Sequence, residues 1–285
     1  MSQRFVAGLV QMTAGTEIDA NVRVASALVR EAKAKGAQFV MTPENTTQID
    51  PDKARVLAEA QPEARHPALP PFRRLAQELN IWLLIGSLTV KASETKCWNR
   101  SYLIGPDGGI AARYDKIHMF DVQVGDGQSY RESSSFEPGR QAVLADLPWG
   151  RLGLTICYDI RFPYLYRSLA QAGAQILTAP AAFTEVTGQA HWHVLQRARA
   201  IETGAYVLSA AQCGTHAKGR RTYGHSLIVA PWGEVLADGG SEPGVVTHEI
   251  DLAAVEAARH RVPALTHDRP VEAPVVANAL KLAGE

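Results

Sequence analysis

Short apolar runs alternate along this chain with stretches whose apolar residues recur every three or four positions, which predicts α/β layering. Strands are predicted over residues 5–12, 38–42, 81–85, 175–179, 206–211, 225–230, 234–237 and 245–250. A hairpin is predicted from 97–104 to 110–114, turning through the Gly- and Pro-containing stretch 105–109. Helices are predicted over 18–35, 70–80, 162–172 and 189–202. The first places Val22, Ala25, Leu28 and Val29 on one face, with Gly36 as its stop. Past Arg261 the chain is rich in Pro and charge, and is expected to wrap another surface.

No low-complexity linker breaks this pattern, so one domain is expected over residues 1–270, with 271–285 as a tail. Residues 101–108 echo 226–233, with Pro and Gly at matching offsets, and 39–43 echo 176–180. Two similar halves would give two stacked sheets covered by helices outside; shared turn and strand-end chemistry would give the same echoes.

Composition narrows the function. The 285 residues carry 29 basic and 29 acidic side chains, so no basic stripe marks a nucleic-acid partner. No apolar run reaches membrane-span length. The start of the chain lacks the features of a signal peptide, and Cys97, Cys157 and Cys213 show no CxxC spacing. Free thiols in the cytoplasm are the expectation. His191 and His193 are two apart on a predicted helix and point to different faces, so no metal is expected. The 105–109 turn lacks the lysine of a phosphate-binding loop, and no cofactor is expected.

Three reactive groups follow predicted strands or the hairpin. Cys157 ends the apolar run 152–156 and opens the charged, aromatic stretch 158–163; Glu44 follows strand 38–42; Lys116 follows the hairpin. Alone, Cys157 reads as a buried packing residue, Glu44 as a solvated loop carboxylate or a helix N-terminal charge, and Lys116 as a surface lysine. Together they supply what amide hydrolysis needs. A thiol is mostly protonated at neutral pH, so a carboxylate must take its proton. A fixed ammonium and the Tyr158 N–H can then stabilise the oxyanion.

These stretches resemble the nitrilase superfamily of carbon–nitrogen hydrolases, whose signature is a Glu-Lys-Cys triad. The resemblance runs from about Phe5 to about Asp268. It is carried by Thr42-Pro43-Glu44-Asn45, by Tyr114-Asp115-Lys116-Ile117-His118 and by residues 153–163 around Cys157. Arg197 to Glu202, Tyr223-Gly224-His225-Ser226 and Pro231-Trp232-Gly233 complete it. The resemblance implies a four-layer αββα sandwich and members that pair into homodimers or larger assemblies. It implies catalytic Glu44, Lys116 and Cys157, with Glu132 matching a second glutamate of the family.

Residues 120–133 and 138–139 look most like the amidases acting on deaminated glutathione and related α-keto-acid amides. Arg161 is expected either to clamp a substrate carboxylate or to pair with Asp159 or another carboxylate. Tyr158, Phe183 and Thr184 are expected to line the pocket. Two positions depart from the family pattern: Tyr164 and His193 stand where glutamates are usual. Hydrolysis of N-carbamoyl amines or nitriles by the same triad, or a scaffold without chemistry, are the alternatives.

Overall fold

In the computed structural model, which describes residues 4–125 and 127–276, the order of strands and principal helices is traversed twice. The first passage is β1 (Arg4–Gln11), α1 (Ile18–Ala34), β2 (Phe39–Met41), the short α2 (Lys53–Glu59), α3 (Leu69–Leu79), β3 (Trp82–Lys91), β4 (Cys97–Ile104) and β5 (Ile110–Asp115). The small pair β6 (Asp121–Val122) and β7 (Tyr130–Arg131) then leads to β8 (Val143–Asp146). The second passage is β9 (Arg151–Leu154), α4 (Pro163–Gln171), β10 (Ile176–Thr178), α5 (Glu185–Thr203) and β11 (Tyr206–Ser209). A hairpin, β12 (Cys213–Thr215) and β13 (Arg221–Tyr223), precedes β14 (Leu227–Val229) and β15 (Val235–Asp238). β16 (Gly244–Asp251) and α6 (Ala253–Arg261) follow.

One sheet has the order β16-β1-β2-β3-β4-β5 and the other β15-β14-β11-β10-β9-β8. In each, three parallel strands continue into an antiparallel meander: β1-β2-β3 with β4 and β5, and β9-β10-β11 with β14 and β15. Each parallel set gains one antiparallel neighbour, β16 on β1 and β8 on β9. The two halves therefore share one topology. The sequence echoes fall on corresponding places in it: β2 and β10, and the β4–β5 and β14–β15 turns.

β2 and its neighbours show why the sheets stack. Phe39, Met41 and Leu84 belong to the cluster between the sheets, with Leu152, Leu154 and Leu208. Val40, Leu83 and Ile85, on the other face, pack with Ala25, Val29 and Ala32 of α1 and Phe72 and Leu75 of α3. Alternate residues thus face opposite layers, and β2 is buried on both sides. Leu165 and Leu169 of α4 and Trp192 and Ala200 of α5 cover the second sheet. The result is the expected αββα sandwich.

Several boundaries differ from the sequence reading. α5 starts at Glu185 rather than near 189 because Gly188 is inside the helix, where a Cβ would meet the Tyr223 ring at 2.3 Å. β3 runs past 85 through a register shift between Ile85 and Leu88. α2 was not legible: its helix is held at the start by Asp52, whose carboxylate accepts from the Ala54 and Arg55 N–H groups. Beyond α6 the chain reaches back to α4, where Asp268 pairs with Arg167 and Leu265 O accepts from Gln171. Residues 271–276 are exposed and irregular, and the remainder of the expected tail lies outside the described residues.

Candidate active site

The ends of the parallel strands from both sheets meet at one edge, the place where such layered folds put their chemistry. Glu44 stands in the turn after β2. There Gly86 of β3 passes so close that a Cβ would sit 2.1 Å from Thr42 O. The turn is tied down by Thr46 Oγ1, which donates to Pro43 O at 2.6 Å. Gln212 Nε2 reaches across from the other sheet and donates to Glu44 O at 3.0 Å.

Cys157 follows β9 with φ +47°, a left-handed conformation uncommon for a residue with a side chain. Its N–H donates to Pro180 O at 2.9 Å. Asp159 holds the turn from below. Its carboxylate accepts from Ile156 N–H at 2.9 Å, Tyr114 Oη at 2.6 Å and His118 N–H at 3.0 Å, and lies 2.7 Å from His118 Nδ1. Lys116 follows β5; its N–H donates to Asn99 O at 2.9 Å and its carbonyl accepts from Gly139 N–H at 2.8 Å.

These supports bring the groups together. Lys116 Nζ lies 2.9 Å from Glu44 Oε1, and 3.0 and 2.8 Å from the two oxygens of Glu132. Glu44 Oε2 accepts from Ala182 N–H at 2.8 Å, and Glu132 Oε2 from Phe120 N–H at 2.7 Å. Glu44 is also within hydrogen-bonding reach of the Cys157 thiol. Asn99 was not singled out in the sequence, yet its Nδ2 donates to Glu44 at 2.9 Å and Glu132 at 3.1 Å. It lies mid-strand in β4, where the inward positions Cys97, Asn99 and Ser101 are buried and mostly polar.

Lys116 and Glu44 are only 2% and 3% exposed, so their charges survive only because they are paired. Burial alone would raise the Glu44 carboxyl. Lys116, the Cys157 thiol and the Ala182 N–H outweigh it and hold Glu44 below the ordinary carboxylate range. Burial would lower Lys116, but Glu132 and Glu44 keep it well above its usual value. Burial and the adjacent Glu44 push the Cys157 thiol well above its usual value. The resting arrangement is therefore a thiol beside a carboxylate base, with an ammonium fixed next to both.

A cavity of about 250 Å³ opens onto this cluster. Glu44, Lys116, Glu132 and Cys157, the expected reacting groups, line it together with Phe183, expected as a pocket residue. Three other expected pocket residues stand elsewhere. Thr184 lies beneath the wall with its hydroxyl 2.7 Å from that of Thr187. The Tyr158 side chain packs edge-on against Phe120 and Phe162 rather than lining the cavity.

Arg161 sits behind Phe183, its guanidinium 5.2 Å from the ring centroid and its Nη2 3.2 Å from His191 Nδ1. Arg161 neither lines the cavity nor pairs with Asp159, whose oxygens are taken by Tyr114, His118 and Ile156. Tyr164 and His193 lie off the cavity as well. Tyr164 hydrogen-bonds His118 Nε2. His193 joins His225 around Asp238, at 3.0 and 2.8 Å, the one trio among the described residues with metal-ligand proximity. There one carboxylate already meets two rings, and none of the three lines the cavity.

The sequence profile of the family described as carbon-nitrogen hydrolase matches residues 6–260. The chain belongs to the carbon–nitrogen hydrolase family. Among relatives of this hydrolase, a protein of Yersinia enterocolitica named deaminated glutathione amidase is 38% identical over 264 residues, covering 92% of each chain. A human protein of the same name is 40% identical over 265 residues, covering 91% of this hydrolase and 81% of the relative. The crystal structure of the Caenorhabditis elegans NitFhit protein superposes with a TM-score of 0.87 at 37% identity, covering 94% of this chain and 66% of that one. Among the described residues no helix is long and apolar enough to cross a membrane.

Proposed function

We propose that this hydrolase cleaves deaminated glutathione or a closely related small α-keto-acid ω-amide, giving a carboxylic acid and an amine or ammonia. The observation that carries the reading is the Lys116 ammonium held between Glu44 and Glu132, with the Cys157 thiol beside Glu44, at a cavity. The similarity to proteins named deaminated glutathione amidase supports the choice of substrate.

In this mechanism Glu44 takes the thiol proton as Cys157 Sγ attacks the amide carbonyl, and the carbonyl π electrons pass to oxygen. Lys116 Nζ and the Tyr158 N–H face that oxyanion. The intermediate collapses by breaking the C–N bond, and the leaving amine takes the proton from Glu44. What remains is a thioester on Cys157. Water then attacks it while Glu44 takes a proton; the C–S bond breaks and the thiolate is reprotonated. Glu132 and Asn99 hold Lys116 and Glu44 in place through both steps.

We place the enzyme in the cytoplasm as a homo-oligomer. Its three free cysteines suit a reducing compartment, and the exposed Val186, Val194 and Ile201 of α5, with the exposed Trp232, suit pairing between copies. Incubation with deaminated glutathione tests the substrate. The compound has no primary amine, so appearance of one reports turnover directly. Turnover of an N-carbamoyl amine or a nitrile, with deaminated glutathione untouched, would move the assignment to those classes.

A further inference from the structure

We propose that Arg220 recognises a substrate carboxylate: its guanidinium receives the anionic end of an amide whose carbonyl lies at Cys157. The inference rests on the amidase reading and names the residue that selects acidic amides. Arg220 lines the cavity from the loop between β12 and β13. Its Nη2 donates to Ala182 O at 3.0 Å, and its guanidinium carbon lies 5.8 Å from the Tyr130 ring centroid. Its Nε–H is buried and has no hydrogen-bond partner. A buried donor left unpaired is unfavourable, and a guanidinium offers two parallel N–H groups to a carboxylate.

The surrounding charges leave this site open to an anion. Among the described residues, five basic side chains (Lys53, Lys116, Arg131, Lys218 and Arg220) line the cavity against three acidic ones (Glu44, Asp50 and Glu132). Glu44 and Glu132 are committed to Lys116, and Lys53 to Arg131 O and Ser134 Oγ. Among the described residues no carboxylate forms an ion pair with Arg220. The placement also sets a length. The Ala182 N–H holds Glu44 while the Ala182 carbonyl holds Arg220. Two hydrogen bonds and the span of one residue keep carboxylate and guanidinium within about 9 Å. That distance suits an amide whose free carboxylate is a few carbons from the scissile carbonyl.

Two readouts test this. In the Cys157→Ala background, 2-oxoglutarate binding is measured by calorimetry with Arg220 intact and with Arg220→Met. Binding should weaken ~10–100-fold, the effect of losing a charge-assisted pair. In enzyme with Cys157 present, kcat/KM is measured for an α-keto-acid ω-amide and its methyl ester. Arg220→Met should lose ~10–100-fold on the free acid, chiefly through KM, and change little on the ester. Arg220→Lys, which keeps the charge without the fork, should fall between and provides the comparison if the methionine variant does not fold. Equal losses on acid and ester, or unchanged 2-oxoglutarate binding, would overturn the assignment. Failure of the wild type to hydrolyse either amide, with Arg220-dependent 2-oxoglutarate binding intact, would sink the amidase reading and leave the subsite standing.

Discussion

Glu132→Gln offers a sharp probe of how the buried cluster works, because glutamine keeps the shape and removes one charge. Each Glu132 oxygen faces two donors: Oε1 meets Lys116 Nζ and Asn99 Nδ2, and Oε2 meets Lys116 Nζ and Phe120 N–H. A glutamine amide must place its NH₂ toward one of these pairs in either orientation. At least one charge-assisted bond is then lost, and a second donor is left facing a donor. One such bond contributes about 1.5–3 kcal/mol, and an unmet buried donor costs a further ~1–3 kcal/mol. Lys116 would be drawn toward Glu44, away from an oxyanion. A misplaced oxyanion donor costs ~10²–10³ in kcat. The assay is steady-state kinetics of amine release for both proteins, with thermal unfolding followed alongside. The expected result is a fall in kcat of that size with a modest loss of stability. Full kcat and unchanged KM in a folded variant would refute the role given to Glu132.

The other expectations concern titration and packing. The Cys157 thiol is raised by burial and by Glu44, so it remains protonated above the unfolded value of ~8.5. Its contribution to stability is thus present below that pH and declines as pH rises beyond it; denaturant titrations of wild type and Cys157→Ala should converge in slope only if this is wrong. His66 is buried, with its pKa lowered to about 4 by desolvation against a backbone bond to Thr89. Stability should decline as pH falls from 6.5 towards 4, by on the order of 3 kcal/mol, and His66→Gln should flatten that slope in urea melts. Gly86→Ala would force a Cβ to 2.1 Å from Thr42 O, so the Glu44 turn must move; loss of both activity and several degrees of Tm is expected, and a fully active, equally stable variant would contradict the geometry.

The sandwich was legible because its principal strands and covering helices carry clear periods, and because the halves repeat. β2 and β10 are both buried three-residue strands followed shortly by a proline, which is why their echo was visible. Glu44, Lys116 and Cys157 were legible because each follows a strand. Asn99 was not: it lies mid-strand, and only the folded register turns it toward the glutamates. Arg161 misled for the same physical reason. Proximity to Cys157 in sequence says nothing of the turn Cys157–Arg161, which swings the guanidinium behind Phe183. Arg220 comes 63 positions after Cys157, in a loop where an arginine near Lys218 looks like surface charge until the Ala182 carbonyl is brought beside it.

The central claim is a thioester on Cys157, and rapid acid quench during turnover of deaminated glutathione, followed by intact-protein mass spectrometry, tests it most directly. The protein should gain the mass of the acyl group, with the adduct mapped to the peptide containing Cys157 and absent from Cys157→Ala, which should be inactive. Undiminished turnover by a pure Cys157→Ala preparation would contradict it.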